Sequence, residues 1–185
     1  MMTATRKRII ESAIQVFNED LSAPLQKVAD NAAVTRRTLH RYFKDRNELV
    51  EICRQVIETS CKKAMIAAIQ SSDEPMLQLE RMLYAGIDCG AKYATFYKMH
   101  RSADHTHNQQ NKNCADYDYI YATFQKIVVE LQETGQLNPK MSPEWIQVLH
   151  SGIIESTANA RAITQQNIEN IKELAWSSYF KAISP

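Results

Sequence analysis

Breakers are scarce in this sequence: four glycines and five prolines punctuate 185 residues. A many-stranded β fold needs a turn every few residues, so this scarcity argues for long helices. Long apolar runs are lacking too, Met65 to Ile69 being an example of how short they are. That is far short of the roughly 20 residues of a membrane span. The N-terminal MMTATRKRII has no apolar run behind its charges, so no secretory leader is expected. Cysteine is sparse and unpatterned: Cys53, Cys61, Cys89 and Cys114 include no CxxC pair and no disulfide framework. All four are expected as small core residues of a reduced, cytoplasmic protein. There is no Gly-rich phosphate loop, nucleophile elbow or HExxH helix, so neither an enzyme nor a cofactor is expected.

What is present is ordinary in amount and uneven in place. Apolar residues make up 44% of the chain, enough for a globular core. The formal net charge is +1, yet residues 1–46 hold nine Lys/Arg against five Asp/Glu, and the other 139 hold thirteen against sixteen. A basic front on a mildly acidic body suits a front that meets a polyanion.

Apolar spacing predicts a first helix from Thr3 or Thr5 to Asn18, with Ile9, Ile10, Ala13, Ile14 and Phe17 inward. Arg6, Lys7 and Arg8 at its start oppose the helix dipole, which nearby phosphates would explain. Ser22 is the expected cap of a second helix, with Pro24 in its first turn and Leu25, Val28, Ala29 and Ala32 on one face. Asn31 to Val34 form a joint, and Thr35 caps a third helix. There Leu39 and Phe43, four apart, point inward, while Arg36, Arg37, His40 and Arg41 point out. Two helices joined by a tight turn make a helix-turn-helix, whose second helix lies in the major groove of DNA. Arginine suits that place because its fork matches guanine O6 and N7.

A long helix from Asp45 or Arg46 to Ile69 follows, with Leu49, Ile52, Cys53, Val56, Ile57 and Ser60 expected inward. Further helices are expected over Pro75 to His100, Asp116 to Thr134, Pro143 to Ala162 and Gln166 to Lys181. Gly86 and Gly90 mark either a break or a close packing point. The polar stretch His100 to Asn113 has no period and reads as a loop.

The stretch Arg6 to Leu49 resembles the DNA-binding domain of the tetracycline-repressor (TetR) family. The residues that carry the resemblance are Ile9-Ile10-Glu11-Ser12-Ala13 and Phe17, Val28-Ala29, Ala33-Val34-Thr35, Thr38-Leu39, Tyr42-Phe43 and Glu48-Leu49. The resemblance implies an all-α protein: a three-helix helix-turn-helix DNA-binding domain (1–46), joined by a long helix to a helical effector-binding and dimerisation domain (47–185). It implies a homodimeric repressor, paired through its last two helices, that a small-molecule effector releases from double-stranded operator DNA. Its DNA-binding residues would be Thr35, Arg36, Arg37, Thr38, His40, Arg41, Tyr42, Lys44 and Arg46. Of these, Arg36, Arg37 and His40 would face bases, and Thr38, Tyr42 and Arg46 would hold the phosphate backbone. Ala33 stands where the family usually has Gly, Ala23-Pro24 where it has a Thr/Ser pair, His40 where it often has Tyr, and Arg46 where it most often has Lys. Tyr84, Tyr93, Phe96, Tyr97, Tyr117, Tyr121 and Phe124 are candidates to line an effector pocket, or else plain core.

Two alternatives stand beside this reading. His100, Asp104, His105, His107 and Cys114 have metal-capable side chains, so a metal-responsive regulator is one, although a hydrated polar loop accounts for them and no metal ligand is assigned. A helical enzyme or binding protein with a structural front unit is the other.

Overall fold

A computed structural model of the chain describes residues 3–92, 114–158 and 160–185. Every regular element among them is a helix: α1 (Ala4–Glu19), α2 (Leu25–Asn31), α3 (Arg36–Tyr42), α4 (Arg46–Gln70), α5 (Pro75–Lys92), α6 (Cys114–Glu133), α7 (Pro143–Thr157), α8 (Ala160–Thr164) and α9 (Ile168–Ile183). The expected end of the fifth helix at His100 and the loop to Asn113, with its candidate metal ligands, lie outside the described residues.

The chain divides into two compact units. The described residues up to Ser60 form the first, and those from Cys61 onward form the second. The expected boundary at 46/47 coincides with the start of α4, whereas the units part inside that helix.

In the first unit, α1 packs on α2 and α2 on α3. Ile9, Ile10, Ala13 and Phe17 of α1, Val28 and Ala29 of α2, and Leu39 and Phe43 from α3 and its end are buried. Thr3 begins α1, its hydroxyl accepting from the Arg6 N–H at 3.3 Å. The expected Ser22 cap of α2 is not formed. Asp20 takes both the N–H and the hydroxyl of Ser22, at 2.8 and 2.6 Å, and Pro24 is the extended residue before the helix. Those two bonds hold the Asp20 carboxyl below its ordinary range. The α2–α3 joint is a Schellman turn: Val34 N–H reaches Ala29 O and Ala33 N–H reaches Asp30 O, each at 3.0 Å. Ala33 supplies the left-handed residue with φ +49°. Thr35 then caps α3, accepting from Thr38 N–H at 3.1 Å. Asp45 caps α4 through Glu48 N–H at 2.9 Å, and the Glu48 carboxylate reaches back to the N–H of Lys44, one residue before the cap, a near-relative of the capping box.

On α4, Leu49, Cys53 and Ile57 are buried as expected, but Val56 and Ser60 are exposed. The inward stripe is thus narrower than the apolar pattern, because only one side of this part of α4 meets the first unit's core.

In the second unit α5, α6, α7 and α9 pack on one another. Gly86 is a close packing point and not a break: a Cβ there would lie 2.3 Å from Ile154 Cδ1 of α7. Helix α6 ends at Gly135 (φ +72°), where Gln136 N–H bonds Leu131 O at 2.8 Å. Ser142 caps α7 with Pro143 in its first turn. The expected helix to Ala162 is interrupted after Thr157. The Thr157 hydroxyl occupies the Ile154 carbonyl at 2.7 Å, and Ala158 N–H turns to Glu155 O, tightening the last turn. Helix α8 is a separate short segment. No helix among the described residues is long and apolar enough to cross a membrane.

Candidate nucleic-acid interface

Helix α3 is anchored from beneath and basic above. Leu39 is fully buried and Phe43 nearly so, while Arg36, Arg37, His40, Arg41 and Lys44 are exposed. Among the described residues, α1 and α2 carry the ion pairs Lys7–Glu11 at 3.7 Å and Lys27–Glu19 at 3.8 Å. None of the exposed cations on or just after α3 is neutralised by such a pair, so their charge is available to an external anion.

The exposed face is ordered. Arg36 Nε donates to His40 Nε2 at 3.4 Å, one turn apart. The Thr35 and Thr38 hydroxyls meet at 3.0 Å. Arg41 lies 5.2 Å from the centre of the Tyr42 ring. Tyr42 is half-buried, and hydrogen bonds from Thr3, Arg41 and Thr5 hold its hydroxyl below the usual tyrosine range. The start of α1 and the end of α3 therefore meet at one polar corner. Arg6 joins it, its guanidinium 5.3 Å from the Phe43 ring centre. The sequence reading had Arg6 there but missed Thr3 and Thr5. Their only signal was the helix cap, because the meeting with Tyr42 is a tertiary contact.

Arg46 is placed differently from the other cations. It is half-buried, its guanidinium lies 4.9 Å from the centre of the Phe17 ring, and one of its terminal nitrogens, Nη2, is buried without a hydrogen-bond partner. It braces α4 against α1 as well as carrying charge.

Three of the seven candidate effector residues, Tyr84, Tyr121 and Phe124, have described side chains. Tyr93, Phe96 and Tyr97 lie outside the described residues, as does the side chain of Tyr117. Tyr121 is 47% exposed, so it faces away from the core of its unit. Tyr84 donates to Glu80 at 2.9 Å with the Lys172 ammonium 5.9 Å from its ring centre, and burial and Glu80 push its hydroxyl up to about 12. Lys172 itself bonds Asp88 at 2.8 Å, so α9 is pinned to α5 there. Phe124 is buried and meets a residue the sequence reading passed over: His150, edge-on at 5.1 Å, which in turn meets Tyr179 at 5.5 Å. The His150 Nε2 is buried without a partner, and burial drives the imidazole down to about 4. A histidine at one turn of an otherwise apolar helix face was the available signal. Among the described residues no three His, Cys, Asp or Glu side chains gather as a metal site would require.

No family model matches the chain, and no curated protein matches it in sequence. Solved structures match along its full length. The ketosteroid transcriptional regulator KstR2 of Mycobacterium tuberculosis is similar with a TM-score of 0.74 at 12% identity, covering 100% of this chain and 97% of that one. The TetR-like regulator LfrR of Mycobacterium smegmatis, solved with proflavine, gives 0.67 at 19% identity, covering 98% of both chains. A TetR-family transcription regulator of Marinobacter aquaeolei gives 0.66 at 15% identity, covering 97% and 95%. With its helix-turn-helix unit followed by a helical second unit, this chain has the fold of TetR-family transcriptional regulators.

Proposed function

We propose that the protein is a DNA-binding transcription regulator, acting as a homodimeric repressor that a small-molecule effector releases from its operator. The observation that carries this reading is the basic face of α3: Arg36, Arg37, His40 and Arg41 stand exposed on a helix whose opposite side is sealed by Leu39 and Phe43. A helix so anchored presents guanidinium forks at the depth of base edges. The polar corner of Thr3, Thr5, Arg6, Arg41 and Tyr42 supplies hydroxyl and cationic donors of the kind that hold phosphate oxygens. Thr35, Thr38, Lys44 and Arg46 flank that surface as backbone contacts.

The dimer would form through α7 and α9, and the effector would bind in the second unit, where Phe124 and His150 are the best-placed candidates. The similar structures support a small-molecule effector, since one of them is solved with proflavine and another is a ketosteroid transcriptional regulator.

Fluorescence anisotropy with promoter DNA, repeated across salt concentrations, tests the reading. Binding should weaken steeply with salt as phosphate counterions are released. Arg36→Ala should relax sequence preference at a cost of roughly 1–3 kcal/mol, and Lys44→Ala should weaken every DNA alike. Absent or salt-independent binding would overturn it.

A further inference from the structure

The cysteines with described side chains are not alike. Cys53 is fully buried, its thiol points to the Ile10 carbonyl at 3.9 Å, and burial pushes it up to about 12. It is a packing residue. Cys61 on α4 and Cys89 on α5 are half-buried, and their thiols meet, with Cys61 hydrogen-bonded to Cys89 from one helix to the other. Both belong to the second unit, and Cys61 is its first residue along α4. The two helices are joined by a short turn at residues 71–74. Gln78 Nε2 closes that turn, donating to Ile69 O at 2.9 Å and to Ser72 O at 2.7 Å, and Arg81 bonds Ser71 O. Two thiols thus meet on helices whose connecting turn is braced.

The pair is asymmetric. The Cys61 S–H supports a thiolate on Cys89, and Lys92, three residues further along α5, adds to it. Burial and Asp88 oppose it, and the balance leaves Cys89 below its ordinary range. Thiolate character and access are what select a cysteine for oxidation.

We propose that Cys61 and Cys89 are a redox-active dithiol that hydroperoxides convert to an intramolecular disulfide, with Cys89 as the attacking and Cys61 as the resolving thiol. The Cys89 thiolate attacks the terminal, hydrogen-bearing oxygen of the hydroperoxide. The O–O bond breaks, Cys89 becomes a sulfenic acid, and the alkoxide leaves with the Cys61 proton as an alcohol. The Cys61 thiolate then attacks the sulfenic sulfur and expels hydroxide, which takes a proton from solvent to leave as water. Two electrons pass from the dithiol to the peroxide. The sulfurs must close from hydrogen-bond reach to about 2.05 Å, which draws α4 at Cys61 toward α5. If the DNA-binding reading above holds, this pin acts on the helix that carries the first unit, and oxidation changes operator affinity.

The test begins with the reduced full-length protein, treated with hydrogen peroxide, quenched with iodoacetamide and digested without reductant. Mass spectrometry should find the Cys61 and Cys89 peptides joined and lighter by two hydrogens than their sum. Cys61→Ser should leave Cys89 as a sulfenic acid that dimedone traps, and Cys89→Ser should leave Cys61 open to alkylation. The proposal fails if both thiols stay alkylatable after peroxide, if the disulfide runs to Cys114 or between molecules, or if dimedone marks Cys61 first. Anisotropy on reduced and oxidised protein separates the two readings. A disulfide without a severalfold affinity change removes the switch and keeps the site. A disulfide in a protein that binds no DNA in either state removes the regulator reading alone.

Discussion

At the scale of single residues, Ala33 carries backbone strain. Its φ of +49° is the left-handed conformation in which an L side chain costs about 1–2 kcal/mol relative to glycine. Part of that is offset because glycine also loosens the unfolded chain. Ala33→Gly is therefore expected to raise the unfolding free energy by about 0.5–1 kcal/mol in urea titration, and a decrease would show that the turn is not built as described. Position 33 was legible in the sequence because a cap, Thr35, and a joint bracket it. For His150 the apolar helix face was the only local signal, and its sealing between Phe124 and Tyr179 is a tertiary arrangement that the sequence does not spell out. Its imidazole falls to about 4 in the folded chain from an ordinary 6.5. The folded state therefore binds fewer protons than the unfolded state between those values. Stability is full above about pH 6.5 and declines as pH falls toward 4, by roughly 3 kcal/mol in all. Denaturation at stepped pH should show this slope, and His150→Leu should flatten it; an unchanged slope would place the acid sensitivity elsewhere.

Local chemistry made most single helices readable. Thr35 and Ser142 are caps where caps were expected, and Gly135 ends α6 as a C-terminal glycine should. What could not be read is where two elements decide together. Val56 has the right spacing for an inward stripe, yet it is 40% exposed. The break after Thr157 comes from one hydroxyl competing for a helix carbonyl, which residue type alone does not announce. The Thr3–Tyr42 contact joins residues that are distant in sequence. Gly86 belongs with these: the sequence left it between a break and a close contact, and Ile154 decides for contact. A methyl at position 86 meets Ile154 Cδ1 at 2.3 Å and Cγ1 at 3.0 Å. Overpacking of that kind costs about 1–3 kcal/mol, against the roughly 1 kcal/mol that alanine gains over glycine in a helix. Gly86→Ala should thus be destabilising on balance. Ile154→Val, which deletes Cδ1, should cost less in the Gly86→Ala background than in the wild type. Strict additivity in that double-mutant cycle would mean that α5 and α7 do not meet through this pair.

For the whole molecule the decisive feature is the outward side of α7 and α9, which pack against each other. Trp145 and Val148 on α7 are 53% and 57% exposed, and Leu174 on α9 is 56% exposed. Gly152, one turn beyond Val148, has nothing within 4 Å of where its Cβ would be, and Ser177 and Ser178, one turn beyond Leu174, are small and exposed, as are the polar Asn170 and Glu173. Large apolar residues interleaved with small ones suit a close approach by a second copy of the same face, and a monomer would leave them in water. In a two-fold pairing each residue occurs twice, so one substitution places two charges in the same contact. Leu174→Glu should weaken the dimer by about 3 kcal/mol or more, roughly a hundredfold in dissociation constant, seen by analytical ultracentrifugation. Operator binding should fall with it. Under the proposed function, two copies of α3 would reach successive major grooves about 34 Å apart only while a dimer held them, so the variant should lose affinity for a palindromic site and keep its weak binding to a half-site. A Leu174→Glu protein that stays dimeric would move the interface off this face. One that becomes monomeric yet binds the full palindrome unchanged would show that the two recognition helices are not coupled through it.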